Sequence, residues 1–146
     1  MDKQVSKRFL VVGVDGSDAS IGALDWAIER AKLLGADVHV VTAWELPFTS
    51  ILSPTLTDED YAAHAQRTLD ESMSKMTADT TDVGVETHLV QRKPALALTE
   101  VSHGADLLVI GAQGHGEVPG MHLGTVATYC VHHAVCPVLV HRTDKS

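Results

Sequence analysis

Basic residues are scarce in this sequence: 11 Lys and Arg stand against 19 Asp and Glu, a formal net charge of −8. A surface of that sign repels polyanions, which argues against nucleic acid or an anionic membrane as a main partner. A small phosphate ligand stays open, because backbone amides can hold phosphate without net positive charge. Cysteine is as sparse. Cys130 and Cys136 are too few for a disulfide framework and are not spaced as Cys-x-x-Cys, so they read as small buried hydrophobes in a reducing compartment. No apolar run reaches the ~18–20 residues of a membrane span. The first such run, Phe9 to Val14, stops at Asp15 with no small-residue cleavage pattern behind it, and reads as a strand rather than a secretory signal. The expected location is cytoplasmic.

Several chemical motifs are missing as well. No Gly-Lys-[Ser/Thr] occurs, so there is no P-loop. The chain has nine histidines, but none stands in His-Glu-x-x-His or another familiar ligand spacing, and no metal site is expected from them. A phospho-receiver domain needs an acidic pair after its first strand and a lysine after its fifth. Here a single Asp15 and the pair His141-Arg142 occupy those places. Ser17, Asp15 and the histidines form no nucleophile–base pattern recognisable in sequence, so no catalytic residue is assigned.

What remains is an ordinary globular composition, 45% hydrophobic and 21% charged over 146 residues, enough for one domain with a real core. Strand and helix signals alternate throughout. Phe9–Val14 is a run fit to be buried on both faces. Asp15-Gly16-Ser17-Asp18 turns the chain and caps a first helix whose Ile21, Leu24, Ile28 and Ala31 share one face, and Gly35 stops it. A second strand is expected over Asp37–Trp44, then a long loop from Glu45 to Leu56. Thr57-Asp58-Glu59-Asp60 resembles a capping box opening a helix with Tyr61, Ala65, Leu69, Ser72 and Met76 inward. Val85–Val90 alternates as a half-exposed edge strand does. Pro94 opens a third helix that Gly104 ends. Strands at Asp106–Gly111 and Cys136–His141 flank a fourth helix near Gly124–Ala134. Crossover helices between five strands predict an α/β fold: a doubly wound, Rossmann-like parallel sheet covered on both faces. The termini, Met1–Lys7 and Thr143–Ser146, are expected to be loose.

The chemistry concentrates after the fourth strand, from Gly111 to Thr125. Open α/β sheets bind ligands beyond the carboxyl ends of their strands, where the strand order reverses. Glycines let a backbone approach phosphate closely, and a helix start offers free amides with partial positive charge. The Thr125 hydroxyl can add a donor. Glycine content alone describes any mobile surface loop, and Gly111, Gly114 and Gly116 do not form the dinucleotide fingerprint.

The spacing is more specific. Gly111-x2-Gly114-x9-Gly124-Thr125 is similar to the nucleotide-binding pattern of the universal stress protein family, with accidental odds on the order of one in a hundred. The chain resembles that family along nearly its whole length, including Val11-Val12-Gly13-Val14-Asp15-Gly16-Ser17, Ala105–Gly111 and Cys136-Pro137-Val138-Leu139-Val140. The resemblance implies one domain over 1–146, ordered from about residue 8 to 142, with strand order 3-2-1-4-5. In the ATP-binding branch it implies Asp15 near adenine and ribose and a backbone group of Ala43 at the base edge. Gly111, Gly114, Gly124 and Thr125 would surround ribose and phosphates, with Gln113 and His115 lining the loop. The implied ligand is ATP, with or without Mg, in a dimeric stress-response sensor or regulator that hydrolyses it slowly or not at all. An ATPase or phosphotransferase using Asp15 or His115, and a nucleotide-free scaffold, are the alternatives. One departure is Arg92, where the family carries a small residue: it could contact phosphate or be a solvated loop side chain. A homodimer through the apolar edge strand Val138, Leu139 and Val140 is expected, because an unblocked edge invites pairing.

Overall fold

The two most apolar runs of the chain become the adjacent central strands of a sheet. The computed structural model describes residues 7–46, 56–114 and 123–143. In it β1 (Phe9–Gly13) pairs in parallel with β4 (Leu107–Gly111), Leu10 opposite Leu107 and Val12 opposite Val109. β2 (Asp37–Trp44) lies on the far side of β1 and β3 (Val85–Gln91) beyond it, while β5 (Val138–His141) borders β4. The order is 3-2-1-4-5, all parallel, as expected.

Each face of that sheet carries its own core, which is why the central strands show no polar alternation. Leu10 and Val12 point to one face, where α1 (Asp18–Leu34) contributes Leu24 and Ile28 and α2 (Asp58–Lys75) contributes Leu69. Val11 points to the other, where α3 (Pro94–Val101) supplies Leu98 and α4 (Thr125–His133) supplies Ala127 and Cys130. Leu10, Val11, Val12, Leu24 and Ile28 are fully buried, each contributing about 1.5–3 kcal/mol of transfer free energy. Cys130 belongs to this packed layer, and burial pushes its thiol up to about 11; Cys136 is half-buried and also unpaired.

The helix boundaries follow the local chemistry. Ser17 caps α1, its side chain accepting from the Ser20 amide, and Gly35 leaves the helix at φ 66°. Thr57 and Asp60 form a reciprocal capping box, with aspartate in the role usually taken by Glu or Gln. Some boundaries differ from expectation. α3 ends at Val101 rather than at Gly104, because the chain tightens at once into two turns, His103 N–H to Glu100 O (3.3 Å) and Ala105 N–H to Ser102 O (2.9 Å). Gly104, at φ 86°, serves the second of these turns. β5 likewise begins at Val138, after Cys136 and Pro137. The expected loose termini and the loop after Glu45 fall largely on residues 1–6, 47–55 and 144–146, outside the described residues. No helix among the described residues is long and apolar enough to cross a membrane.

Candidate functional site

The connection leaving β1 runs over one face of the sheet and the connection leaving β4 over the other, so the two strands part company at their carboxyl ends. The crevice there is the place where such sheets accept ligands. Its cavity measures about 100 Å³, smaller than the ~300–1,000 Å³ of drug-sized small-molecule sites. Its walls are mostly apolar: Val14, Val41, Leu98, Ile110 and Val126 are among them. Five residues singled out in the sequence, Asp15, Ala43, Gly111, Gln113 and Gly114, line it together.

The end of β1 is tied down before it enters the cleft. Val14 N–H donates to Val41 O at 2.9 Å, and the buried Thr42 hydroxyl donates to Val14 O at 3.0 Å. The chain then turns through Gly16 at φ 88°. Asp15 Oδ1 accepts from the Ser17 amide (3.0 Å) and the Ser17 hydroxyl (2.6 Å), while Ser17 Oγ accepts from Ser20 N–H. Asp15 therefore builds the start of α1 and lines the cleft at once.

The end of β4 is shaped by close approach. A Cβ on Gly111 would lie 2.9 Å from the Ala19 carbonyl carbon and 3.0 Å from the Ser20 nitrogen. Glycine here lets the strand end pack directly on the first turn of α1. Further on, Gly124 N–H donates to Ala112 O at 2.7 Å, bringing the two ends of the intervening loop together. Gly124 is the N-cap of α4 and has no side chain with which to cap it. Thr125 is the first residue of the helix and exposed, and Val126 and Ala127 after it line the cleft. His115 lies outside the described residues, as does the loop to His122.

Arg92 does not line the cleft. Its guanidinium forks onto the Glu100 carboxylate of α3, Nε to Oε1 at 2.8 Å, with both side chains about half exposed. The pairing raises the Arg92 pKa and holds the Glu100 carboxyl below its ordinary value. Of the two readings open in the sequence, the structure shows an exposed side chain, here ion-paired.

Several cleft residues were not singled out beforehand. Gly13 had a visible signal, a glycine closing an apolar strand, and a Cβ there would press to 2.7 Å from Leu98 Cδ1. Leu98, Ile110 and Val126 had none, because an apolar residue lining a pocket reads in sequence like any core residue.

A sequence profile described as the universal stress protein family matches residues 8–142. Universal stress protein Rv2624c of Mycobacterium tuberculosis is 33% identical over 140 residues, covering 93% of this chain and 48% of the relative. This chain thus spans about half the length of the curated relatives it matches. Among solved structures, universal stress protein UspA from Lactobacillus plantarum superposes with a TM-score of 0.76 at 24% identity, covering 94% of this chain and 99% of that one. The universal stress protein from Archaeoglobus fulgidus in complex with dAMP gives 0.67 at 26% identity, covering 95% and 100%. A universal stress protein in complex with cAMP gives 0.63 at 27%, covering 94% and 98%.

Proposed function

The chain belongs to the universal stress protein family, and from that premise we propose that it binds an adenine nucleotide, ATP in particular, at the carboxyl ends of β1, β2 and β4. The observation that carries the reading is the convergence of Asp15, Ala43, Gly111, Gln113 and Gly114 on one cleft beside the first turn of α4. The cleft suits the parts of such a ligand. Val41, Leu98, Ile110 and Val126 offer an apolar bed for a base. Asp15 stands where a ribose hydroxyl would be held, and Gly114, Gly124 and Thr125 where phosphates would meet backbone amides. Relatives of the same fold bind dAMP and cAMP, which supports the adenine preference.

The chain acts as a binding module in a stress response, with hydrolysis slow or nil. Phosphoryl transfer needs groups that position water and neutralise developing charge. Among the described residues that line the cleft, the one carboxylate is Asp15, and its Oδ1 is already hydrogen-bonded to Ser17. Mass spectrometry of the small molecules released on denaturing the purified protein identifies the nucleotide. Calorimetry then tests the site: the double variant Gly114→Val/Gly124→Val should fold and lose ATP binding at least tenfold. Undiminished affinity in that folded variant, or turnover near ~1 per second in the wild type, would overturn the proposal.

A further inference from the structure

A second constellation lies on the same sheet, among residues that do not line the cleft. His39 on β2 and Glu86 and His88 on β3 face one side, near the start of the strands. Parallel register sets Glu86 directly beside His39 and His88 beside Val41, so Glu86 and His88, two residues apart, share a face with His39. His39 Nδ1 lies 3.0 Å from His88 Nε2, and the two rings are parallel, with centroids 5.1 Å apart and an interplanar angle of 3°. Glu86 Oε1 lies 3.6 Å from the same His88 nitrogen. One ligand atom from each of the three residues falls within 4.8 Å of the others.

We propose that His39, Glu86 and His88 form a binding site for a first-row divalent transition cation, with Zn²⁺ as the reference ion. Tetrahedral coordination at about 2.0–2.1 Å places neighbouring ligand atoms about 3.3–3.4 Å apart; two of the three separations, 3.0 and 3.6 Å, bracket that edge, and the third, from His39 to Glu86, lies within 4.8 Å. Two imidazoles and one carboxylate are the donors such ions prefer, whereas Ca²⁺ and Mg²⁺ favour all-oxygen shells. Both imidazoles must present a lone pair to the ion, which puts their remaining protons on His39 Nε2 and His88 Nδ1. Without an ion, the same 3.0 Å contact is a single N–H···N hydrogen bond whose donor is set by the tautomers of the two rings. Three protein ligands leave one position for water. The three residues do not line the nucleotide cleft, although His39 precedes the cleft residue Val41 by only two positions on β2, roughly 7 Å along an extended strand. Because β3 is the edge strand, a bound ion would fasten it to β2. The separation of the two histidines by 49 positions hides this pattern from any search for local ligand spacing.

Titrating the full chain with Zn²⁺ by calorimetry tests the site. The expected result is one ion bound per chain, a rise in melting temperature on adding Zn²⁺, and ring-nitrogen NMR shifts at His39 and His88. His39→Gln and His88→Gln should each abolish the binding and the rise, and Glu86→Gln should weaken it at least tenfold. His132→Ala/His133→Ala, at the end of α4, should leave it intact. Absence of binding by the wild type overturns the proposal, as does binding that survives His39→Gln and His88→Gln or disappears with His132 and His133. If a β-strand variant misfolds, zinc-induced shifts confined to other histidines of the wild type are sufficient to overturn it.

Discussion

Gly111 has two demands on it, and they separate experimentally. It lines the cleft, and it also lets the end of β4 rest against the Ala19–Ser20 backbone, where a methyl group would sit 2.9 Å from a carbonyl carbon. Backbone cannot swing aside as the tip of a side chain can. Gly111→Ala should therefore destabilise the fold by about 1–3 kcal/mol, the usual cost of overpacking, and a chemical denaturation curve would show it as a lower midpoint with unchanged slope. An unchanged midpoint would mean that α1 gives way at little cost. Loss of nucleotide binding in that variant would accordingly be ambiguous, which is why Gly114 and Gly124 are the better positions for testing the cleft. Asp15 carries a similar double load, holding Ser17 at the head of α1 while facing the cleft. Its position at the end of an apolar run was legible in the sequence; its hydrogen bonds to Ser17 were not, because they depend on the turn through Gly16.

Among the elements, those fixed by local chemistry were the most legible. The capping box at Thr57, the left-handed exit at Gly35 and the proline at the head of α3 all occur where their residues suggested. The uninterrupted strands β1 and β4 were equally plain, since burial on both faces removes the polar alternation. The end of α3 is less legible: Gly104 suggests a stop, whereas the turns at Ser102 and His103 end the helix first. The cleft was legible through its glycines and its aspartate, and its apolar walls were not. Among the described residues, β5 has a strand on only one side. Val138, Leu139 and Val140 are each half-buried, and Val131 and Val135 in the preceding segment expose 47% and 67% of their surface. An apolar edge of this kind is usually covered. Antiparallel pairing of two β5 edges about a two-fold axis would cover it without forming open chains. Sedimentation should give a dimer at micromolar concentration, shifted toward monomer by Val140→Pro or Leu139→Lys. A monomeric wild type would refute the pairing.

At the level of the whole molecule, the buried Cys130 makes the fold sensitive to alkali. Its thiol titrates at 9.0 when unperturbed and about 11 in the folded chain, chiefly because burial disfavours the thiolate. Between those values the native state holds a proton that the unfolded state has lost. Stability contributed by this group is thus complete below pH 9 and declines as pH rises toward 11, by roughly 2–3 kcal/mol in total. Cys130→Ala should flatten that decline in a series of urea midpoints from pH 8 to 11, and an equally steep decline in the variant would place its origin elsewhere. Unfolding is also required for access: a thiol reagent at neutral pH should modify Cys136 and spare Cys130 until the core opens.

The hydrogen bond from Gly124 to Ala112 works like a drawstring. It closes the mouth of the segment between them, so the sheet and α4 meet the same two anchor points whatever is threaded in between. Closing a loop costs only about 0.6 kcal/mol more each time its length doubles. Residues 113–123 can consequently change in length and chemistry while the scaffold beneath keeps its register. One chassis can then carry differently cut pockets, and under the proposed function the preference for a particular phosphate chain would be a property of an exchangeable part.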